Sequence, residues 1–369
     1  MEFLVVVASL GWVTLLLMPW RPWWTSERLE PDGDPVAEDF RDITVLIPAR
    51  NEAPVIQRTL SALRSQGNGF LTILIDDQSS DETAARARAS MASGLMILEG
   101  SPLPAEWTGK LWALEQGWRH VESKLVLLLD ADIELAPGML SALRRKIQKH
   151  DLVSVMAELR MGNFWERLFV PAFVYFFKLI YPFRLGNDPH SRVGVAAGGC
   201  ILLRCSALQK IGGFEPLRMA IIDDCSLARR IKETRGRTWM GLSRSVRSHR
   251  TYEQLSDFWD MVARTAFTQL GYSVWLLFAT TFLILFSFWI PLIGLLVLPV
   301  TFKGIAALGI VAMMISYLPT LGYYRRSVFW ALALPLTSGF YLLMTWSSAF
   351  RYWQGKRSEW KGRAYARMP

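Results

Sequence analysis

The stretch LVLLLDAD, residues 125–132, sets five consecutive branched apolar residues directly before two carboxylates, Asp130 and Asp132. An apolar run without alternation reads as a strand covered on both faces. In extended chain Asp130 and Asp132 point to the same side. Four other short runs share this character: ITVLI (43–47), LTILI (71–75), LMIL (95–98) and LVSVM (152–156). Helical stretches at 52–65, 81–91, 110–120 and 137–148 separate them. The alternation predicts an α/β domain built on a mostly parallel sheet with helices on both faces. In such sheets ligands bind beyond the carboxyl ends of the strands, so chemistry is expected there.

Two acidic clusters fall at that edge. The run at 71–75 ends in Asp76-Asp77, followed by Gln78-Ser79-Ser80-Asp81; the run at 125–129 ends in Asp130-Ala131-Asp132. An Asp after a strand often caps the next helix, and for a single Asp that explanation suffices. Paired carboxylates at two strand ends repel one another unless a cation joins them. Mg²⁺ or Mn²⁺ with a diphosphate would resolve the repulsion, through hard oxygen ligands completed by phosphate oxygens. A third pair, Asp223-Asp224, precedes an amphipathic helix containing Leu227 and Ile231. One of these can cap the helix, which leaves the other to act as a general base.

The remaining sequence places the chain at a membrane. It has 369 residues, a net charge of +9, sixteen Trp and twenty Phe. The charge alone would admit nucleic acid, but the aromatic content beside long apolar runs favours a bilayer, and no nucleic-acid partner is expected. Three cysteines, Cys200, Cys205 and Cys225, argue against a disulfide framework. Residues 3–20 are uncharged and long enough for one helical span. A signal peptide would carry Lys or Arg before the apolar run; here Arg21 and Arg28 follow it, so residue 21 onward is expected on the cytoplasmic side. The predicted organisation is an N-terminal transmembrane helix (1–21), a linker (22–42), a cytoplasmic domain (43–270), a C-terminal transmembrane bundle (271–350) and a basic tail (351–369). Residues 164–183 are densely aromatic and read as an interfacial helix, with a core helix as the alternative. Three apolar segments, 272–299, 304–322 and 328–349, close the bundle. Three crossings would put a tail with six Lys/Arg outside, against the positive-inside rule. An even number of crossings is therefore expected, through a hairpin broken near Pro291 or a re-entrant segment.

The motifs together resemble family 2 glycosyltransferases of the GT-A (Rossmann-like) nucleotide-sugar fold. Pro48-Ala49-Arg50-Asn51-Glu52, the DDQSSD run at 76–81, Asp130-Ala131-Asp132 as a DxD motif, Gly109-Lys110-Leu111-Trp112-Ala113-Leu114, Gly198-Gly199-Cys200, IGGF at 211–214 and DDCSL at 223–227 carry the likeness, over about 43–270. WTGKLWAL, IDDCSLA, MVARTAFTQL and Trp360-Lys361-Gly362-Arg363 look most like the hopene-associated subfamily. The resemblance implies that Ala49, Arg50 and Glu52 hold the nucleoside, with Asp76 and Asp77 near uracil and ribose and Lys110 beside the nucleotide. It implies that Asp130 and Asp132 serve the diphosphate, Asp132 as the more direct ligand of Mg²⁺ or Mn²⁺. Asp223-Asp224 matches the family's Glu-Asp pair, with Asp224 as base. Gly199 and Arg264 fall on the acceptor side. The Gln-x-x-Arg-Trp motif of processive members is absent, and Arg264 stands near its place without a following Trp.

The implied activity is inverting transfer of a sugar from a UDP-sugar to a membrane lipid, with a hopanoid as the subfamily's acceptor, at the bacterial inner membrane. A processive polysaccharide synthase and a nucleotide-sugar-binding membrane protein without turnover are the alternatives. Basic residues over 229–250 could meet lipid heads or the diphosphate, with Arg247, His249 and Arg250 best placed; otherwise they form a solvated basic face. Cys225 beside the base reads as a small semi-buried residue rather than a nucleophile.

Overall fold

A computed structural model describes residues 1–32, 38–91 and 93–356, together with the backbone of 359–360 and 363–364. Lys361 and Gly362 of the tail motif lie outside the described residues. The chain divides into two compact units. One comprises 27–160 and 185–251 with the two short tail strands; the other comprises 1–26, 161–184 and 252–356.

Among the described residues the main sheet of the first unit has eight strands: β1 (Ile43–Ala49), β2 (Leu71–Asp76), β3 (Leu95–Glu99), β4 (Leu125–Leu129), β5 (Ile133–Leu135), β6 (Leu152–Glu158), β7 (Cys200–Arg204) and β8 (Thr238–Ser248). Their order is β3-β2-β1-β4-β7-β6-β8-β5. Every apolar run read from the sequence is a strand. β1 pairs in parallel with β2 and β4, β2 with β3, and β6 with β8. β7 runs antiparallel between β4 and β6, and β5 closes the far side antiparallel to β8. β1 and β4 are buried along their whole length, as strands covered on both faces must be. Helices Ile56–Arg64 and Met139–Ile147 bury their apolar stripes with one layer of core; Gly109–Trp118 and Asp223–Glu233 contribute to the other.

The other unit is helical. Glu2–Leu17 is a short apolar helix, and three helices are long and apolar enough to cross a membrane: Val274–Val297, Val300–Tyr323 and Val328–Trp353. The expected hairpin break near Pro291 does not occur. Residues 274–297 form one continuous helix, with a π-turn at Leu285–Trp289 just before the proline. Pro291 has no N–H, so the Ser287 carbonyl four residues earlier loses its helical donor. Trp12 Nε1 supplies one instead, at 2.7 Å. In an apolar setting that replacement matters, because no water is at hand to satisfy the carbonyl.

The helix read at 164–183 runs Phe164–Ile180 and is largely buried. Its two awkward charges have partners. Glu166 closes a capping box with Asn163 and also accepts from Tyr252 N at 2.9 Å; Lys178 donates to the Trp24 carbonyl. The last apolar helix is anchored at both ends. Ala331 and Leu334 share a core with Tyr317 and Leu321, at the end of the preceding helix. At the other end Ser348 Oγ accepts from Phe267 N at 3.0 Å, Arg351 meets Asp260 at 2.6 Å, and Tyr352 stacks on Tyr272 with centroids 4.5 Å apart.

Candidate active site

The parallel register brings Ala49 opposite Asp76 at the carboxyl ends of β1 and β2. Beyond them two turns lock together. Arg50 donates to the carbonyls of Asp77 (2.6 Å) and Gln78 (3.0 Å). Asn51 adopts the left-handed conformation and accepts from Ser80 N at 2.8 Å. Glu52 N donates to Thr83 Oγ1 at 2.8 Å, and Asp76 Oδ1 accepts from Ser79 N at 3.0 Å. Ala49, Arg50, Glu52, Asp76 and Asp77 are therefore brought together. Ala49 and Asp77 are fully buried, and Glu52 nearly so. Asp81, the last residue of the DDQSSD run, fixes the turn. It accepts from Ala53 N and from the backbone and hydroxyl of Thr83. Burial opposes its charge, but these hydrogen bonds outweigh it and hold the carboxyl below the ordinary range.

A second cluster surrounds Lys110, at the start of helix Gly109–Trp118. Its ammonium lies 2.9 Å from Asp130 Oδ1, past the end of β4, and 3.3 Å from Asp223 Oδ2, at the start of helix Asp223–Glu233. Burial works against the ammonium, yet Asp130, Asp223 and Asp224 outweigh it and strengthen its hold on the proton. Burial raises Asp130 in turn; Lys110 opposes that rise, while Asp132 and Asp223 add to it. Asp224 is pushed well above the ordinary carboxylate range, to about 7, by burial and then by Asp223, against the pull of Lys110. Cys225 N donates to Asp224 Oδ1 at 2.7 Å and turns that carboxylate back on the helix start. The thiol of Cys225 is buried against the Ala196 carbonyl.

Asp132 is nearly buried and is held from β8. Ser248 Oγ donates to Asp132 Oδ2 at 2.5 Å, and His249 N donates to the Asp132 carbonyl at 2.8 Å. The His249 ring meets Glu134 at 2.6 Å. Ser248 and Glu134 join the site without any mark in the sequence; only the position of β8 shows them. Of the basic residues picked from that region, His249 lies against this cluster, whereas Arg247 pairs with Glu158 at 3.9 Å. Arg264 belongs to the helical unit, just after helix Leu255–Ala263.

Gly198 and Gly199 face different neighbours. A Cβ on Gly199 would meet Ile133 Cδ1 at 3.1 Å, and the Gly199 carbonyl accepts from Asp130 N at 3.0 Å. Gly199 thus packs the end of β4. A Cβ on Gly198 would stand 3.0 Å from Lys110 Nζ and 3.5 Å from Asp224 Oδ2, so Gly198 is the one that faces the charges. A narrow cleft, lined mainly by leucines together with Ile201 and Phe214, has Pro48, Lys110, Asp130, Gly198, Asp223 and Asp224 on its wall at this point.

The donor set suits a hard divalent cation held partly by the protein. Asp132 lies close enough to Asp130 to disfavour the Asp130 charge. Among the described residues no group of three His, Cys, Asp or Glu side chains is arranged to chelate an ion. Two carboxylates with the rest of the shell from phosphate oxygens is a common way to bind Mg²⁺ or Mn²⁺.

The glycosyl transferase family 2 model matches residues 44–212. The 4,4'-diaponeurosporenoate glycosyltransferase of Staphylococcus haemolyticus (strain JCSC1435) is 34% identical over 98 residues, 27% of this chain and 26% of that protein. The undecaprenyl-phosphate 4-deoxy-4-formamido-L-arabinose transferase of Edwardsiella ictaluri (strain 93-146) is 30% identical over 138 residues, 35% of this chain and 42% of that protein. The chain thus spans between a quarter and just over two fifths of these relatives. The solved mannosyltransferase PcManGT from Pyrobaculum calidifontis, in complex with GDP-Man and Mn²⁺, superposes with a TM-score of 0.58 at 16% identity, over 96% of this chain and 99% of that one. That likeness establishes the fold. Residues 44–212 thus match the glycosyl transferase family 2 model, and the chain has the GT-A fold.

Proposed function

We propose that the protein is a metal-dependent, inverting glycosyltransferase that moves a sugar from a UDP-sugar to a lipid of the bacterial inner membrane. The observation that carries this reading is the contact of one largely buried ammonium with both Asp130 and Asp223, next to Asp224, at the carboxyl edge of the sheet. On this reading a diphosphate site and a base site would meet at one point. Asp76, Asp77, Arg50 and Glu52 would bind the nucleoside. Asp132 and Asp130 would hold Mg²⁺ or Mn²⁺, which when bound supplies positive charge to the departing diphosphate. Asp224 takes the proton of the acceptor hydroxyl. The freed oxygen forms the new bond to the anomeric carbon from the face opposite the diphosphate. The old C–O bond breaks, and its electron pair leaves with the nucleoside diphosphate. One displacement inverts the centre, so no second carboxylate need act as a nucleophile.

The lipid acceptor is supported by the apolar helices and by relatives named for undecaprenyl phosphate and diaponeurosporenoate. A hopanoid is our more specific choice, on the resemblance of Trp107–Leu114 and the tail motif. UDP- and GDP-sugars incubated with the enzyme, Mn²⁺ and membrane lipid extract should yield a glycosylated lipid by mass spectrometry. Donor hydrolysis without any lipid product would remove the acceptor assignment.

The bundle crosses the bilayer twice after the domain. Val274–Val297 and Val300–Tyr323 are joined by two residues, so they form a hairpin and residues 274 and 323 share a side. The last helix starts four residues later, beside Tyr317 and Leu321, and ends against Phe267 and Tyr272, which directly precede the first span. Both its ends therefore lie on the side where the first span begins. It returns without crossing, beside helix Phe164–Ile180, and the basic tail stays cytoplasmic, as the positive-inside rule asks. In intact cells Pro299→Cys should react with a membrane-impermeant maleimide, and Gly355→Cys only after permeabilisation. The native cysteines are all buried and should stay silent. Labelling of Gly355→Cys in intact cells would restore three crossings.

A further inference from the structure

The ammonium of Lys110 touches both acid sites at once. It lies 2.9 Å from Asp130, a proposed cation ligand, and 3.3 Å from Asp223, the neighbour of the proposed base. Its side chain is largely buried, and Gly198 leaves it room where a Cβ would stand 3.0 Å from Nζ. The ammonium therefore occupies the centre of the charge cluster rather than reaching out to solvent. We propose that Lys110 is a built-in counter-ion that keeps the divalent cation out of the donor-free enzyme, so that metal loads well only together with a nucleoside diphosphate. This rests on the reading of Asp130 and Asp132 as cation ligands.

The exclusion is electrostatic. Asp130 cannot give its full charge to a metal while an ammonium holds one of its oxygens at 2.9 Å. Adding two positive charges beside one already present is opposed, strongly so where water is scarce. A diphosphate reverses the balance. It gives Lys110 a second anionic partner and gives the metal oxygen ligands, so both cations can stay. The coupling must be reciprocal: whatever factor the nucleotide adds to metal affinity, the metal adds to nucleotide affinity. The ammonium's second contact, on Asp223, means that the same rearrangement reaches the acid pair at the base. Lys110 is in this sense a positioning residue, acting through Asp130 and Asp223.

The test measures Mn²⁺ binding directly, by electron paramagnetic resonance of the full-length protein in detergent, with no sugar donor and no turnover. Wild type should bind Mn²⁺ weakly alone and about tenfold or more tightly with UDP or GDP, each titrated separately. Lys110→Met should bind Mn²⁺ alone about tenfold more tightly than wild type, with a smaller further gain from nucleotide. Lys110→Arg should behave as wild type. A merely structural role cannot give this result, because damage to the site would weaken binding, and thermal melts identify any misfolded variant. If Lys110→Met binds Mn²⁺ alone no more tightly than wild type, the counter-ion role is overturned. In that case Asp132-dependent Mn²⁺ binding in wild type with nucleotide would leave the metal assignment standing. If Asp132→Asn changes Mn²⁺ binding in no state, both assignments fall together.

Discussion

Asp224→Asn should lower kcat for sugar transfer by about 10³-fold, the middle of the range that a positioned general base supplies, while UDP binding in the presence of Mn²⁺ stays within about twofold of wild type, since the lost effect belongs to the transition state. The asparagine keeps the shape of the side chain and one oxygen for the Cys225 N–H, which the native carboxylate accepts at 2.7 Å. It cannot take a proton at that oxygen. The same residue sets a pH limit. Burial and the charge of Asp223 lift Asp224 to about 7, so its basic form is lost as pH falls through neutrality. In wild type kcat/KM should drop on the acid side of about pH 7 and level off above it. Stability moves the opposite way. A carboxyl whose native value is raised above the unfolded one binds an extra proton in the fold between the two values. Its contribution to stability therefore declines as pH rises from the ordinary carboxylate range to about 7. Asp224→Asn removes that penalty, and at pH 8 it should melt no lower than wild type. A variant that retains full turnover would take the base role away from Asp224; one that melts far lower would show that the side chain supports the fold instead.

How far the sequence could be read follows from how local each feature is. β1 and β4 are legible because they are buried on both faces, and burial on both faces demands an unbroken apolar run. Asp76, Asp130 and Asp132 are legible because they follow such runs immediately. The antiparallel insertion of β7 between β4 and β6 is not, since a strand's direction depends on the path of the chain between strands. Nor is the link from Lys110 to Asp223, which two helices far apart in sequence create on opposite sides of one cleft. Ser248 looks like an ordinary polar residue in a basic stretch until β8 brings it to Asp132. The membrane segments show the same limit. Hydropathy counts apolar runs, but only contacts such as Ser348 with Phe267 show which ends meet. Pro291 suggested a break because proline removes a helical donor; the distant indole of Trp12, which replaces that donor, leaves no local mark in the sequence.

The second large effect is expected at Asp132. Chelation by EDTA should abolish transfer, Mn²⁺ or Mg²⁺ should restore it, and Asp132→Asn should lower kcat/KM by about 10²–10³-fold even with excess metal, comparable to the loss of one charge-stabilising group from a preorganised site. Asp132 is singled out over Asp130 by its partners. Asp130 shares its charge with Lys110 at 2.9 Å, whereas the contact on Asp132 Oδ2 is a neutral hydroxyl, Ser248, at 2.5 Å. A neutral donor orients a carboxylate without cancelling its charge, which leaves Asp132 the stronger ligand for a cation. Asn at 132 can still accept from Ser248, so the local hydrogen bond survives and the loss reports on charge. Asp130→Asn has a different expectation: it frees Lys110 as well as removing a ligand, so its effect should divide between metal affinity and nucleotide affinity. Ser248→Ala tests the orienting role alone and should shift the Mn²⁺ concentration for half-maximal activity upward while leaving the plateau rate within a few fold. Full turnover in EDTA, or an Asp132→Asn enzyme with wild-type kcat/KM, would mean that the cations of the protein itself, led by Lys110, stabilise the departing diphosphate without a metal.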